Sequence, residues 1–205
     1  MKRSSFTPKP PKPKRCKHCR IHPVMRPGAI ACSPECALAL VDAANAKTER
    51  RQAKAVRAVD TERRESLKSR SDLIGEAQTA FNAFIRERDR QAGYLCISSG
   101  RPLDWSGNAV DAGHYRSRGS SPHLRFDERN CHAQSKHDNR YMSGNAVDYR
   151  IGLINRLGIK AVEELESDQT LRNWTHDDLR AIKATYKLKL KELQRRQSPD
   201  NYTDY

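Results

Sequence analysis

Four cysteines near the amino terminus form two close pairs, Cys16-x2-Cys19 and Cys32-x3-Cys36. A structural zinc ion takes four thiolate or imidazole ligands in a tetrahedron, and two close pairs joined by a loop let a short chain surround it. The ion also supplies stability that so small a module cannot obtain from apolar burial. Chance cysteines in a disordered arm are the competing interpretation. We predict a structural zinc site, because four thiolates leave no open position for water.

A second segment that could do chemistry is VDAGHYRSRG, residues 110–119. Hydrolysis of a phosphodiester needs a base to deprotonate water, a divalent cation to stabilise charge, and cationic side chains to hold phosphates. A lone histidine is more often structural than catalytic, and the spacing of these residues does not establish the chemistry by itself. The required residue types nevertheless occur together here and shortly afterwards: Asp111, His114, Arg116, Arg118, Asn130 and Asn139.

The charge balance of the chain points to a polyanionic partner. Lys and Arg number 39 against 25 Asp and Glu, giving a net charge of +14 and a pI near 9.8. Nucleic acid is the expected partner. No run approaches the roughly 18 apolar residues of a membrane span, and the basic amino terminus lacks the apolar core of a secretion signal. We therefore expect a cytoplasmic protein, in which cysteines bind metal more often than they form disulfides.

The low apolar content, 36%, favours several modules over one large core. The residues before 16 combine lysines with prolines, and the stretch 37–70 is rich in Ala, Arg, Lys and Glu without Pro or Gly. We predict a disordered basic arm (1–15), a zinc-binding module (16–36), a helical spacer (37–71), a core with a preceding helix (72–150), C-terminal helices (151–197) and a disordered tail (198–205).

Capping signals and breakers locate the helices. An apolar face begins at Leu73, with Ser71 as the expected N-cap and Gly93 as the stop. Residues 94–121 carry the Gly, Pro and Asn punctuation of short strands and turns. Further helices are expected near Asn139, on both sides of Gly158, and after a capping box formed by Thr175 and Asp178.

Several motifs resemble the NinG (Rap) recombination proteins of lambdoid bacteriophages. They are KRCKHC, CSPEC, AFNAFIRERDR, CISSGRP, DAGHYRSRG, LRFDERN, SGNAVDYRIGLINRLG and IKATYKLKLKEL, and they extend over most of the chain. The resemblance implies a DNA structure-specific endonuclease that acts on Holliday junctions and D-loops in the phage-infected or lysogenic host. It also implies an α+β fold whose core is similar to the HNH, or ββα-metal, nucleases. The expected architecture is a zinc-ribbon-like module, a long helical spacer, this core and flanking C-terminal helices.

Carried over to this sequence, the resemblance assigns three roles. His114 matches the histidine base, Asn130 the asparagine that orients it, and Asn139 the helix-borne ligand of a catalytic Mg²⁺ or Mn²⁺. Gly113 stands where many such enzymes place an acidic residue before the histidine, so the metal carboxylate would come from Asp111. Phosphate contacts are expected from Arg101, Arg116, Arg118 and Arg125, for which a solvated basic face is the competing interpretation.

A second departure concerns the core. Where typical family members carry two C-x-x-C pairs, this chain has Cys96, Ser99, Ser135 and Asp138. Serine is a poor zinc ligand, so we expect the core zinc to be lost and replaced by hydrogen bonds and by packing of Ile97, Leu103, Trp105, Leu124 and Phe126. A rebuilt site from Cys96, Cys131, His132 and His137 is the alternative.

Two functions stay open at this point. Lost zinc ligands and Gly113 favour a non-catalytic, zinc-containing DNA-binding or architectural protein, whereas His114, Asn130 and Asn139 favour the endonuclease. Branched DNA is the expected partner in both cases. Cutting a symmetric junction in both arms is most simply done by a homodimer, and other phage or host recombination proteins are further candidate partners.

Overall fold

A computed structural model describes residues 14–197; the predicted tail and nearly all of the predicted arm lie outside this range. The chain divides into two compact units, Met1–Leu67 and Lys68–Tyr205. Helices dominate, and the described residues contain one small two-stranded sheet, which confirms the α+β class. Among the described helices, none combines the length and the apolar character that crossing a bilayer requires.

The first unit contains the cysteine module and one long helix, α1 (Pro34–Ser66). Ser33 caps the helix by accepting a hydrogen bond from the Cys36 N–H at 3.3 Å. No residue of α1 is buried, so the predicted solvated helix is confirmed. It begins three residues earlier than predicted and ends at Ser66 rather than continuing to residue 71.

The second unit opens with α2 (Arg70–Gln91). Ser69 is the N-cap, because its hydroxyl accepts from the Asp72 N–H at 3.2 Å while the Asp72 carboxylate accepts from the Ser69 N–H at 3.1 Å. The prediction of Ser71 as N-cap is wrong, since only Ser69 has an acidic residue three positions later to complete this reciprocal pair. The helix ends at Gln91, and Gly93 follows with a φ of +66°, as its role as a stop requires.

Strands β1 (Val110–His114) and β2 (Cys131–Ser135) form the sheet. They are antiparallel, with Asp111 opposite Gln134 and His114 opposite Cys131. A short π-helical segment, His137–Tyr141, follows β2 directly and contains Asn139, as predicted. The order strand, strand, helical turn therefore brings the start of β1, with Asp111, beside the start of the helical segment.

Three helices complete the unit: α3 (Ala146–Leu157), α4 (Ile159–Ser167) and α5 (His176–Gln197). The predicted break at Gly158 is confirmed, with a φ of +84°. The predicted capping box of α5 is also present, because Thr175 N–H donates to the Asp178 carboxylate at 3.0 Å and Asp178 N–H to the Thr175 hydroxyl at 3.1 Å.

Two apolar clusters support the sheet. In the first, α2 packs against α5 and the sheet, with the Phe81 ring edge-on to Tyr186 at 4.8 Å between ring centroids. The second joins Ile97 and Leu124 to α3 and α4. Of the five residues expected to replace the core zinc by packing, Ile97, Leu124 and Phe126 are buried. Leu103 and Trp105 are only half-buried, so this expectation is wrong for them.

Candidate active site

A cleft of about 520 Å³ lies between α2, the end of β1 and the π-helical segment. Three predicted site residues line it together: Asp111 and His114 from β1, and Asn139 from the segment after β2. The antiparallel register makes this possible, because β2 returns the chain beside β1 and delivers the helical turn to the same edge. The remaining lining is polar and cationic, including Asn82, Arg86, Ser117, Arg118 and Arg140.

His114 is held as a neutral imidazole. Its Nε2 lies 3.0 Å from the Arg125 carbonyl oxygen and its Nδ1 lies 3.6 Å from the Cys131 sulfur. Since a carbonyl can only accept, Nε2 carries the proton, and Nδ1 is the acceptor that faces the buried Cys131 thiol. Burial, reinforced by the charges of Arg118 and Arg125, lowers the pKa of His114 to about 4. The side chain is therefore in the form that a general base needs at neutral pH.

Asn130 is fully buried and binds loop backbone rather than the histidine. Its Oδ1 accepts from the Arg116 N–H at 2.7 Å, and its Nδ2 donates to the carbonyls of Arg116 at 3.0 Å and Leu124 at 3.1 Å. These bonds tie together the two ends of the loop that follows β1. The next carbonyl, of Arg125, is the one that holds His114. Asn130 thus positions the imidazole indirectly, through the loop backbone that supplies the Arg125 carbonyl.

Asp111 and Asn139 lie side by side, with Asn139 Nδ2 donating to Asp111 Oδ2 at 3.0 Å. Partial burial opposes ionisation of Asp111, but hydrogen bonds from Arg140 and Asn139 outweigh it and hold the pKa of the carboxyl below its usual value. The amide nitrogen faces the carboxylate here, and rotation of the amide by half a turn would present its oxygen there instead. Two oxygen ligands with access to water are the donor set that Mg²⁺ and Mn²⁺ accept, so these residues fit a divalent ion.

Arg140 is a site residue that sequence reasoning missed. Its Nε donates to Asp111 Oδ2 at 2.8 Å, so its guanidinium neutralises the carboxylate on which a metal ion would bind. The residue follows Asn139 directly in the π-helical segment, and both side chains bond Asp111 of β1. Nothing in the one-dimensional sequence distinguishes it from the other exposed arginines.

The predicted phosphate-binding arginines separate into distinct groups. Arg118 lines the cleft, is exposed, and its guanidinium makes no hydrogen bond within residues 14–197. Arg125 is engaged with the Gln78 side chain and the Arg118 carbonyl, both at 3.3 Å. Arg116 is half-buried, and its Nε is buried without a partner among the described residues. Arg101 is exposed and does not line the cleft.

A further arginine reaches the cleft from α2. Arg86 lines it together with Asn82, one helical turn earlier, and its side chain makes no hydrogen bond or ion pair with any described residue. The spacing of these two residues places them on one helical face. That relation is visible in the sequence, but the sequence does not show that this face borders β1.

The four residues at which the resemblance implied a core zinc site, Cys96, Ser99, Ser135 and Asp138, form a hydrogen-bonded knot. Asp138 accepts from the Cys96 thiol at 3.1 Å and from the Ser135 hydroxyl at 2.8 Å. Desolvation raises the pKa of Asp138, but hydrogen bonds from Ser99, Cys96 and Ser135 outweigh it and hold the pKa below its usual value. Two pairs of residues from distant parts of the sequence, Cys96 with Ser99 and Ser135 with Asp138, thus meet at the buried Asp138 carboxylate.

The rebuilt zinc site considered as an alternative is not formed. Within residues 14–197, the amino-terminal cysteines are the only group of three or more Cys, His, Asp or Glu side chains whose ligand atoms lie close enough together to hold a metal ion. His132 Nδ1 instead lies 3.0 Å from both Arg88 and Arg156, Cys131 contacts His114, and His137 is exposed. These residues serve separate hydrogen-bond networks and do not converge on one point in the structure.

Replacing Asp138 by alanine is expected to lower the free energy of unfolding of the second unit by about 2–3 kcal/mol, because the buried donors lose a charged acceptor. Urea denaturation followed by circular dichroism measures this loss. The control is Asp177→Ala, at an aspartate whose side chain is 95% exposed; it should cost less than about 1 kcal/mol. Equal effects of the two substitutions would show that the knot contributes nothing.

The four amino-terminal cysteines converge as predicted. Their sulfur atoms all lie within 4.8 Å of one another, with Cys32 at 3.6 Å from both Cys19 and Cys36, and none forms a disulfide. Four thiolates around zinc are separated by about 3.8 Å, as a Zn–S bond of about 2.3 Å in a tetrahedron requires. Backbone N–H groups of His22 and Ile21 lower the pKa of Cys19 to about 5. This cluster could hold a metal such as zinc.

Comparison with known proteins places the chain close to phage proteins. A family model described as "Bacteriophage Lambda NinG protein" matches residues 8–197. Protein ninG of Salmonella phage P22 is 42% identical over 198 residues, covering 88% of this chain and 94% of the relative. Protein ninG of Escherichia phage lambda is 40% identical over 205 residues, covering 92% and 97%. No solved structure matches.

Proposed function

Because the chain belongs to the Bacteriophage Lambda NinG protein family, we propose that it is a metal-dependent endonuclease that cuts branched DNA recombination intermediates. One observation carries the proposal. A neutral imidazole, a carboxylate beside an amide, and two arginines without a hydrogen bond inside the described residues line a single cleft. This is the set of groups that phosphodiester hydrolysis requires.

The local architecture supports an HNH-like core. The candidate base lies at the end of the first strand, and the second strand leads directly into the helical turn that carries Asn139. Gly113 precedes the base in place of an acidic residue. A Cβ at this position would lie 2.1 Å from Oε1 of Gln134, so a larger residue does not fit here without a shift of that side chain. The carboxylate of the cleft is therefore supplied by Asp111.

In the proposed mechanism, His114 Nδ1 exchanges its contact with the Cys131 sulfur for a water molecule and takes a proton from it, while Nε2–H remains bonded to the Arg125 carbonyl. The bond at Nε2 keeps the ring in place as it becomes charged, and Asn130 fixes the loop that supplies the carbonyl. Asp111 and Asn139 would hold the Mg²⁺ or Mn²⁺, which when bound stabilises negative charge on the phosphate and the leaving oxygen. Arg86 and Arg118 bind the flanking phosphates.

The remaining proposals concern partners. The net charge of +14 supports branched DNA as the substrate in the cytoplasm of the phage-infected host. A homodimer would present two such clefts to a symmetric four-way junction. Other phage or host recombination proteins are further proposed partners. The amino-terminal module, with one structural zinc, adds basic residues to the same chain.

A non-catalytic DNA-binding protein is the second candidate. It is favoured by the Asp111–Arg140 ion pair, which already neutralises the carboxylate of the cleft. In that case the cleft would bind phosphates and do no chemistry. The two candidates differ in one measurable outcome, which is cleavage of the bound DNA.

The test uses a labelled four-way junction incubated with Mg²⁺ or Mn²⁺. We expect cleavage by the wild type and a loss of about a hundredfold in Asp111→Asn, because an ion bound through this carboxylate contributes several kcal/mol to the transition state. Asp148→Asn, at an exposed aspartate outside the cleft, is the matched control and should cut normally. Tight binding by the wild type without cleavage in either metal would select the non-catalytic candidate.

A further inference from the structure

A second cleft, of about 340 Å³, adjoins the first. It lies between α2, the loop before β1 and the end of α5, and Arg86 lines both clefts. Arg86 is therefore the residue that the two spaces share. Its other lining includes Trp105, Arg90, Asn108, Leu190 and Gln194.

The lining of this second cleft combines three kinds of group. Trp105 offers a half-exposed aromatic surface, Asn108 and Gln194 offer amides, and Arg86 is a cation with no hydrogen bond or ion pair to another described residue. The cleft also contains the Glu87 carboxylate, but Arg90 neutralises it through hydrogen bonds of 2.9 and 2.6 Å. An anion that enters the cleft therefore meets Arg86 as the cation not already paired with a carboxylate.

The loop that carries Trp105 is held in place on both sides of the ring. Asp104 Oδ1 accepts from the Ser106 N–H at 2.9 Å and from its hydroxyl at 2.6 Å. After the loop, β1 begins at Val110, which is buried and also lines the cleft. The indole is thus carried by a hydrogen-bonded turn that leads into β1, and Trp105 belongs to neither of the two apolar clusters.

We propose that the second cleft receives one unpaired nucleotide of the branched DNA, with its base stacked on Trp105 and its phosphate at Arg86. The inference rests on the proposed function, since the nucleotide belongs to the strand that continues from the candidate active site. The volume is at the small end of ligand pockets, which begin at about 300 Å³, and it suits a single nucleotide. Aromatic stacking with a nearby cation is the usual way that proteins hold unpaired nucleotides.

This arrangement gives a physical origin for selectivity toward branches. In an intact duplex every base is paired and stacked on its neighbours, so none is available for Trp105 without an energetic cost. Near a branch or a strand end that cost is smaller. DNA with accessible unpaired nucleotides would therefore fill both clefts, whereas a linear duplex would fill only the first.

The test measures binding in the absence of divalent ions, so that cleavage does not interfere. Fluorescence anisotropy compares a forked DNA with unpaired nucleotides and a linear duplex of equal length. Trp105→Ala is expected to weaken binding of the fork about tenfold and binding of the duplex less than about twofold, given the contribution of one stacked base. Trp105→Phe retains a ring and should keep most of the affinity. Lys160→Gln, at a basic residue that lines neither cleft, controls for general charge loss.

Intrinsic fluorescence gives an independent readout. The chain has two tryptophans, and Trp174 is buried with its Nε1–H bonded to the Pro122 carbonyl at 3.0 Å. Quenching by an oligo(dT) strand should therefore arise from Trp105 and disappear in Trp105→Phe. Because this readout uses the wild type and a conservative variant, it stays decisive even if Trp105→Ala does not fold.

The inference is overturned if oligo(dT) causes no quenching, or if Trp105→Ala weakens fork and duplex binding equally. A parallel cleavage assay with Mg²⁺ separates this outcome from failure of the proposed function. If the wild type cuts junctions but shows no preference that depends on Trp105, the endonuclease proposal stands and the nucleotide site in the second cleft is excluded. If binding depends on Trp105 but no cleavage occurs, the nucleotide site stands and the endonuclease proposal is excluded.

Discussion

His114→Ala is expected to reduce junction cleavage by about two to four orders of magnitude, the usual contribution of a positioned general base. Binding of the junction should change little, because the imidazole is neutral and contributes no charge to the cleft. Single-turnover cleavage of a labelled junction, together with binding measured without divalent ions, separates the two effects. Unchanged cleavage would remove His114 from the mechanism.

His137→Ala is the matched control for this substitution. His137 lies two residues before Asn139, and its side chain is 73% exposed. Because it neither lines the cleft nor supports the sheet, its removal should leave cleavage unchanged. A loss in both variants would point to general damage to the fold. The melting temperatures of both proteins should be measured beside the rates for this reason.

A comparison of the wild type with His114→Ala also tests the protonation state of His114. Its pKa in the folded state is about 4, below the value of about 6.5 for an unfolded histidine. The unfolded chain therefore binds more protons between these values, and this contribution to stability is present above pH 6.5 and lost as the pH falls toward 4. We expect the acid destabilisation of the wild type in this window to be smaller in His114→Ala, and wild-type cleavage to be insensitive to titration of His114 above pH 5.

The second large effect concerns the amino-terminal cysteines. We expect one zinc ion per chain, lost in both Cys16→Ser and Cys32→Ser, with unfolding of the module that the ion stabilises. Elemental analysis of purified protein measures the zinc, and the rate of limited proteolysis within residues 16–36 measures the loss of order in the module. The large effect follows from the size of the module, which buries Cys16 but leaves Ile21, Met25 and Ile30 exposed. Apolar burial there is too small to replace the ion.

Cys96→Ser is the control for zinc content. Cys96 is buried in the second unit and donates to Asp138, so its replacement should leave one zinc per chain. Two zinc ions in the wild type would contradict the hydrogen-bonded knot, and none would contradict the cysteine site. Either number would be visible without any measurement of activity.

Features of local origin could be predicted from the sequence. The cysteine pairs, the break at Gly158 and the capping box at Thr175 depend on residues within one turn or one short loop of each other, and all three are present. The predicted N-cap of α2 was wrong because Ser69 and Ser71 both lie at the start of the helix and the second was chosen. The capping-box spacing does distinguish them, because only Ser69 has an acidic residue three positions later, and the hydrogen bonds with Asp72 confirm that pairing.

Features of the candidate site that depend on distant contacts could not be predicted in the same way. The resemblance to a known family predicted His114 and Asn139 as site residues. That Asn130 joins two parts of the loop after β1 is visible only in the folded structure. Arg86 and Arg140 were missed because the sequence does not show which element packs against the polar helical face that carries an arginine. Their proximity to β1 is a property of helix packing and of the π-helical turn.

The Asp111–Arg140 ion pair has a thermodynamic consequence under the proposed function. A divalent ion that binds Asp111 must displace a guanidinium group already in place at 2.8 Å, so its affinity for the free protein is reduced by the strength of that internal pair. Phosphates of bound DNA compete for Arg140, which is exposed, and so relieve the competition. By linkage, metal and DNA then strengthen each other's binding by the same factor. The protein would carry a vacant metal site between substrates and fill it when a junction arrives.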